Sequence, residues 1–171
     1  MAVIDPIKVV LTDFPENEIE EFEIKDEISG TRKIPFSKII YIDQSDFRLE
    51  DDPNFKRLAP GKSVCLMFSH DAKKTTADKS YRITCTDYIQ DENGKVTQLM
   101  AICDRGVNHK TKAPARIQWV AESPLHNSPI KAQVNLYSNL FLHENPSSNP
   151  DGWLADVNPN SLEIKTAFVD I

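Results

Sequence analysis

Prolines spread along the whole chain set the strongest limit on what it can fold into. Eleven of them occur among the 171 residues, the first at Pro6 and the last at Pro159. Because proline lacks a backbone N–H and clashes with the preceding helical turn, it interrupts nearly every window in which a helix of three or four turns could form. The sequence therefore predicts few long helices.

Short segments in which apolar and polar residues alternate indicate half-buried β-strands instead. Residues 130–136 and 81–86 alternate in this way, and Asn93-Gly94, a pair typical of hairpin turns, precedes the run 96–102. Many short strands at such spacing predict an all-β protein, either a sandwich or a barrel. Further candidate strands are 7–11, 39–42, 63–68, 117–121 and 162–167.

The charge of the chain is unevenly distributed. The whole sequence carries a formal charge of −6, but residues 13–27 hold eight acids and one base, a sum of −7, which leaves +1 for the rest. We call residues 13–27 the acidic stripe; its simplest interpretation is a solvated face. Its apolar residues, such as Phe22 and Ile24, fit a helix about as well as a strand. The global charge therefore does not exclude a nucleic acid as partner.

Cysteine usage and the amino-terminal sequence exclude several classes of protein. Cys65, Cys85 and Cys103 are odd in number and form no C-x-x-C pair, so the spacing predicts neither a disulfide framework nor a zinc site. A reducing, cytoplasmic environment fits best. No segment has the features of a targeting peptide or of a membrane span.

The residues give no support to autonomous catalysis. None of the four histidines stands in a recognisable signature with a cysteine, and Cys85 alternates with Tyr81 and Ile83, which favours a core position. Neither G-x-x-x-x-G-K-S/T nor G-x-G-x-x-G occurs, so a phosphate cradle is not predicted. We expect no catalytic residue and no metal ligand here.

Two basic clusters point to recognition. Residues 105–116 carry four bases and no acid, and Lys56, Arg57 and Lys62 surround a Pro-Gly turn. Phe55, Tyr81 and Trp119 interleave with these bases, although Trp119 is better interpreted as a core residue. This pattern gives nucleic-acid binding a modest edge over a protein-interaction module.

Seven ordered segments resemble the anticodon-binding region of glutaminyl-tRNA synthetases, and together they span nearly the whole chain. The eukaryotic and archaeal type of glutamyl-tRNA synthetase is a close relative, but it usually lacks the F-K-R-L-x-x-G segment, so we prefer the glutamine enzyme. The segments are M-A-V-I-D-P-I-K at 1–8, I-P-F-S at 34–37, Y-I-D-Q-S-D-F-R at 41–48, F-K-R-L-A-P-G at 55–61, I-Q-W-V at 117–120, L-Y-S-N-L-F at 136–141 and V-N-P-N-S-L at 157–162.

The resemblance implies two linked antiparallel β-barrels. A distal barrel, residues 58–145, would be inserted into an incomplete proximal barrel, residues 1–57 plus 146–171. The catalytic domain, which joins glutamine to tRNA with ATP and Mg²⁺, would precede Met1, and further strands would follow the last residue. The chain itself is therefore expected to hold no cofactor, to have tRNA(Gln) as its partner rather than DNA or a membrane, and to be part of a class I glutamine-tRNA ligase.

The resemblance also implies five tRNA-binding positions. Arg57 matches an arginine that reads the third anticodon base, and Lys56 matches a lysine that contacts phosphate. Asn54 stands where the family often has a glutamine for the middle base. Leu66 matches a residue beside the first-base pocket, and Cys65 stands where bacterial members place an arginine for that base. Because a thiol supplies no cationic donor, that contact is predicted to be lost or moved.

A second hypothesis makes the chain a protein-interaction module. In this interpretation the acidic stripe docks a basic partner, such as another component of the translation machinery.

Overall fold

A computed structural model describes residues 1–26, 30–69, 80–105 and 115–170, and these residues form β-strands and short 3-10 turns without an α-helix. The 3-10 turns cover Gln44–Asp46, Pro124–His126, Pro146–Ser148 and Trp153–Asp156. The strands are β1 (Ala2–Ile4), β2 (Pro6–Leu11), β3 (Glu20–Asp26), β4 (Gly30–Phe36), β5 (Ile39–Asp43), β6 (Ser63–Leu66), β7 (Arg82–Gln90), β8 (Val96–Asp104), β9 (Arg116–Ile117), β10 (Trp119–Ala121), β11 (Ile130–Tyr137) and β12 (Leu162–Val169).

The largest sheet has seven strands in the order β10-β5-β2-β8-β7-β6-β9. Its two edge strands, β9 and β10, are consecutive in the chain and are separated only by Gln118. One continuous segment therefore pairs with β6 at one edge and with β5 at the other, so the sheet nearly closes into a barrel. Closure of this kind removes free sheet edges.

Two smaller sheets accompany the barrel. One has the order β1-β12-β11 and the other consists of the β3–β4 hairpin. The Gln118 side-chain carbonyl accepts a hydrogen bond of 3.3 Å from the Ala2 N–H, which ties β1 to the point of closure.

Aromatic side chains fill the core between β3, β4 and the barrel. Phe36 is fully buried, and its ring meets the Trp119 ring edge-on at 5.2 Å between centroids and the Tyr81 ring at 5.3 Å. Phe14 and Phe22 complete the cluster. The Trp119 indole N–H donates to the Met67 carbonyl at 2.8 Å, so its one polar atom is satisfied.

The structure confirms the all-β class and each alternating strand predicted from sequence. The Asn93-Gly94 turn joins β7 to β8, and Cys85 and Trp119 lie in the core. Within the acidic stripe, for which sequence left helix and strand open, Glu20–Asp26 form β3 and pair with β4. Residue 27 of the acidic stripe and residues 106–114 of the basic cluster 105–116 lie outside the described residues.

Strand pairing differs from the predicted barrels in two respects. Two pairings of the seven-stranded sheet, β2 with β8 and β6 with β9, are parallel. The sheet also takes β2 and β5 from residues 1–57 and its other strands from residues 58–145, so pairing crosses the predicted boundary. The division into a proximal barrel (1–57 plus 146–171) and a distal barrel (58–145) stays a prediction.

No helix in the described part of the chain is long and apolar enough to cross a membrane.

We predict that Phe36→Ala lowers the free energy of unfolding by about 3–5 kcal/mol, because it removes a ring on which several aromatic side chains pack. Urea unfolding monitored by tryptophan fluorescence measures the change. Tyr137→Ala is the matched control: Tyr137 is 77% exposed on β11, and its removal should cost no more than about 0.5 kcal/mol. Similar losses in the two variants would contradict the assignment of the core.

Candidate functional site

A nine-residue loop, 49–57, leaves the barrel and returns to it at one fixed point. The Leu58 N–H donates to the Asp46 carbonyl at 2.9 Å, and the Arg48 N–H donates to the Leu58 carbonyl at 3.1 Å. Phe47 and Leu58, which these bonds bring side by side, are both buried. The residues at the base of the loop, Arg48 and Arg57, therefore have anchored backbones.

Asp46 and Arg57 form an ion pair across the base of the loop. Asp46 Oδ1 lies 2.6 Å from Arg57 Nη1, and the Asp46 side chain is 9% exposed whereas that of Arg57 is 50% exposed. Only one guanidinium nitrogen is engaged in this contact. Arginine has five N–H donors in one plane, so the exposed half of Arg57 can donate to an acceptor in solvent.

The environment of Asp46 raises its pKa to about 6. Burial is the largest cause, because it disfavours the charged form, and the neighbouring Asp43 carboxylate acts in the same direction. Arg57 opposes both by stabilising the carboxylate. A carboxyl group with a perturbed pKa, here just before the loop 49–57, is a feature that functional sites often show.

The loop itself is ordered by its own residues. The Asn54 N–H donates to Asp52 Oδ1 at 2.7 Å, and Lys56 Nζ donates to the Pro53 carbonyl at 2.7 Å. Both Asn54 and Lys56 are exposed, so the Asn54 amide and the Lys56 charge face solvent. Three of the predicted tRNA-binding residues, Asn54, Lys56 and Arg57, therefore lie together.

Two cations brace this loop from either side. The Arg48 guanidinium lies over the Phe55 ring, 4.4 Å from its centroid. Lys62 Nζ donates to Asp51 Oδ1 and to the Phe55 carbonyl. Lys62, which sequence placed in the same basic cluster as Arg57, thus stabilises the loop.

The other two predicted residues, Cys65 and Leu66, lie on opposite faces of β6. Leu66 is fully buried among the core residues. Cys65 pairs with Arg82 on β7 and with Arg116 on β9, and directly paired residues share a face of a sheet. Cys65 therefore stands between two arginines, of which Arg82 is buried and Arg116 is exposed.

Three functional candidates were missed as site residues by sequence reasoning: Asp46, Arg48 and Arg116. Asp46 and Arg48 lie in the segment 41–48 that carried the family resemblance, and Arg116 ends the basic cluster 105–116. No local sequence pattern shows that Asp46 pairs with Arg57, that Arg48 lies over Phe55, or that Arg116 lies beside Cys65.

Part of the acidic stripe is paired with cations from outside it. Arg105 Nη1 lies 2.7 Å from Glu18 and 2.9 Å from Glu20, and Lys33 Nζ lies 2.8 Å from Glu21. His126 Nε2 is 3.0 Å from the other oxygen of Glu21. These pairs reduce the field that the acidic stripe would otherwise present to a partner.

The thiols of Cys85 and Cys103 are buried in the core. Burial raises the pKa of Cys85 and raises that of Cys103 to about 12, so both stay protonated and unreactive. Among the residues with described positions, no group of three or more histidine, cysteine or acidic side chains could hold a metal ion.

Comparison with protein families identifies two matches, both described as tRNA synthetases class I (E and Q), anti-codon binding domain. One covers residues 1–104 and the other residues 116–171. E and Q stand for glutamate and glutamine.

Individual relatives match over almost the entire chain. A protein of Dictyostelium discoideum named "Probable glutamine-tRNA ligase" is 43% identical over 99% of the chain, and "Glutamine-tRNA ligase, cytoplasmic" of Arabidopsis thaliana is 38% identical over 96%. "Glutamine-tRNA ligase" of Clostridioides difficile is 34% identical over 99%. The chain spans 20% of the length of the first two relatives and 30% of the third.

We predict that the Asp46 carboxyl group titrates near pH 6, and that Arg57→Ala moves its midpoint to higher pH because a stabilising cation is lost. Carbon-detected NMR of the aspartate side chains measures both values.

The folded pKa of Asp46 lies above the unfolded value, so the contribution of Asp46 to stability is complete at low pH and is lost as pH rises through about 6. The stability of Asp46→Asn relative to the unaltered chain should therefore increase between pH 4 and pH 7. A constant difference over that range would contradict the raised pKa.

Proposed function

The chain belongs to the anticodon-binding domain family of the class I tRNA synthetases for glutamate and glutamine, and we propose that it binds the anticodon of a tRNA. The observation that carries this proposal is the arrangement of Arg57, Lys56 and Asn54 on one anchored loop. RNA sequence is read mainly on unpaired bases, whose edges accept and donate hydrogen bonds. A loop that presents a guanidinium, an ammonium and an amide to solvent has the donors that such bases require.

The proposed parent protein is a cytoplasmic glutamine-tRNA ligase, in which another domain joins glutamine to tRNA(Gln) with ATP and Mg²⁺. The names of the three relatives support the amino acid, and the name of the Arabidopsis protein supports the compartment. The segment F-K-R-L-A-P-G at 55–61 also favours the glutamine type over the glutamate type.

Arg57 is proposed to read the third anticodon base. A guanine at that position offers two acceptors, O6 and N7, that match the fork of a guanidinium. Because one nitrogen of Arg57 is held by Asp46 and half of the side chain is exposed, the remaining donors are available without rearrangement of the loop.

Lys56 and Asn54 are proposed to make the neighbouring contacts. The ammonium of Lys56, whose described hydrogen bond is to a neutral carbonyl, keeps its full positive charge and is suited to a phosphate. The amide of Asn54 can both donate and accept, which suits the edge of the middle base.

Arg116 is proposed to supply the first-base contact that Cys65 cannot make. Bacterial members of the family place an arginine where Cys65 stands, and the strand register puts the exposed Arg116 beside Cys65 on the same face. A guanidinium carried by the adjacent strand can reach the space above Cys65. Leu66 lies on the other face of β6, so its predicted place beside this pocket stays a prediction.

We predict that Arg57→Ala weakens binding of an anticodon stem-loop with guanine at the third anticodon position by about 1–3 kcal/mol and relaxes preference at that position. Fluorescence anisotropy titrations at one stated salt concentration, with stem-loops that differ only in the third base, measure the effect. Lys56→Ala is the matched control: loss of a phosphate contact should weaken every stem-loop alike and reduce the salt dependence. Unchanged base preference in Arg57→Ala would overturn the reading role.

For the first base, Arg116→Ala is expected to cost about 1–3 kcal/mol with stem-loops that carry the preferred base and less with the others. Cys65→Ser is the control on the neighbouring strand, and it should bind like the unaltered chain because neither a thiol nor a hydroxyl supplies a cation. If Arg116→Ala binds all first-base variants as the unaltered chain does, the first-base contact lies elsewhere.

A further inference from the structure

We propose that Asp46 is a positioning residue, which fixes the direction in which Arg57 presents its guanidinium and thereby sets the preference at the third anticodon base. The proposal rests on the proposed function of Arg57. Asp46 itself contacts no RNA in this scheme; it acts only through the arginine.

The geometry of the ion pair suits this role. Asp46 Oδ1 holds Arg57 at Nη1, 2.6 Å away, and a guanidinium is planar, so one fixed nitrogen together with the anchored backbone restricts the whole plane. The carboxylate is almost fully buried, whereas half of the arginine is exposed. The buried partner therefore cannot move with the RNA, and the exposed partner is held against it.

The backbone that carries Asp46 is held in place by three hydrogen bonds. Asp46 is the last residue of the 3-10 turn Gln44–Asp46. Asp43 caps the start of this turn, and its Oδ1 accepts a hydrogen bond of 2.9 Å from the Ser45 N–H. Asp43 Oδ2 accepts a second hydrogen bond from the Ile4 N–H at 3.2 Å, which ties the turn to β1. The Asp46 carbonyl accepts from the Leu58 N–H at 2.9 Å.

A fixed arginine favours specific binding for an entropic reason. Free arginine side chains sample many rotamers, and a ligand that selects one of them loses affinity. An arginine already held in the binding direction avoids that loss. It also penalises a base whose acceptors are misplaced, because the arginine cannot follow them without breaking its ion pair.

The charge of Asp46 disfavours folding, which argues against a purely structural role. Burial raises the pKa of this carboxyl group, with Asp43 adding to the effect and Arg57 opposing it, so the ionised form is disfavoured in the folded chain. A neutral asparagine of the same shape would remove this penalty. A fold that keeps a charged group at a site where it disfavours folding commonly does so for function.

A double-mutant cycle on the 171-residue chain tests the proposal. The unaltered chain, Asp46→Asn, Arg57→Ala and the double variant are each titrated with two anticodon stem-loops that carry guanine or adenine at the third position. The measured quantity is the ratio of the two dissociation constants. Thermal unfolding at pH 7.5 is recorded for all four proteins.

We expect Arg57→Ala to reduce the ratio by about 5- to 150-fold, the equivalent of 1–3 kcal/mol. Asp46→Asn should reduce it at least about 5-fold, with a melting temperature at pH 7.5 equal to or above that of the unaltered chain. The double variant should match Arg57→Ala, because Asp46 has no effect without the arginine. A role in stability alone would move the melting temperature and leave the ratio unchanged.

Each contrary outcome has one meaning. If Arg57→Ala lowers the ratio and Asp46→Asn does not, the positioning role is wrong and the proposed function stands. If the effects of the two variants multiply in the double variant, Asp46 acts independently of Arg57 and the positioning role is again wrong. If Arg57→Ala leaves the ratio unchanged, the proposed function of Arg57 fails, and the inference fails with it.

A pH series on the unaltered chain covers the case in which Asp46→Asn does not fold. Protonation neutralises Asp46 reversibly, so the ratio should fall between pH 7.5 and pH 5 in the unaltered chain and stay constant in Arg57→Ala. The charged groups that act on Asp46 are Asp43 and Arg57. The Arg57→Ala chain is the control, because protonation of Asp43, of the histidines and of the RNA affects its ratio in the same way as that of the unaltered chain. A ratio that stays constant in the unaltered chain would overturn the proposal.

Discussion

Closure of the seven-stranded sheet by the segment 116–121 is the constraint on which the rest of the molecule depends. In the described residues no helix satisfies the backbone, so the peptide groups of each strand need a neighbouring strand. One segment serves both edges, with β9 on β6 and β10 on β5. Both candidate surfaces extend from these pairings: β5 leads directly into the turn that carries Asp46, and β6 with β9 carries Cys65 and Arg116. The packing of Trp119 on Phe36 fixes the same segment from inside.

The sequence predicts those parts of the fold that depend on short-range patterns of residues. Alternation located the strands, Asn93-Gly94 located a hairpin, and the apolar neighbours of Cys85 placed it in the core. The acidic stripe stayed open because Ile19 and Phe22 have the spacing of a helix whereas Phe22 and Ile24 have that of a strand. The pairing of Phe22 with Ile34 across the β3–β4 hairpin decides for a strand. The parallel pairings of β2 with β8 and of β6 with β9 join segments far apart in the chain, and no local pattern encodes such a partner.

The candidate site divides in the same way. The family resemblance pointed to Arg57 and Lys56 because both lie within the single segment F-K-R-L-A-P-G at 55–61. Asp46 could not be selected, since the sequence around it contains several other acids and gives no sign of which one is buried. Arg116 could not be selected either, because its relation to Cys65 exists only through the strand register. In both cases the sequence does not show the spatial neighbour, which is Arg57 for Asp46 and Cys65 for Arg116. That neighbour determines the role each residue can have.

Two adjacent residues of the loop 49–57, Lys56 and Arg57, have different roles in the proposed function: Lys56 supplies positive charge, and Arg57 supplies hydrogen-bond donors with a fixed direction. The charge of Arg57 is partly offset by Asp46, so Arg57 adds little net attraction for a polyanion, and its value lies in where its remaining donors point. Lys56 has a neutral carbonyl as its described partner and so keeps its whole charge, which acts on any phosphate within about 10 Å at ordinary salt. In the proposed function, affinity that is independent of sequence and preference for one base thus come from neighbouring side chains with different partners. Part of the charge of the acidic stripe is offset locally, because Arg105 pairs with Glu18 and Glu20 and Lys33 pairs with Glu21. The net charge of −6 is therefore a poor guide to binding, which on this proposal depends on where Lys56 and Arg57 present their donors.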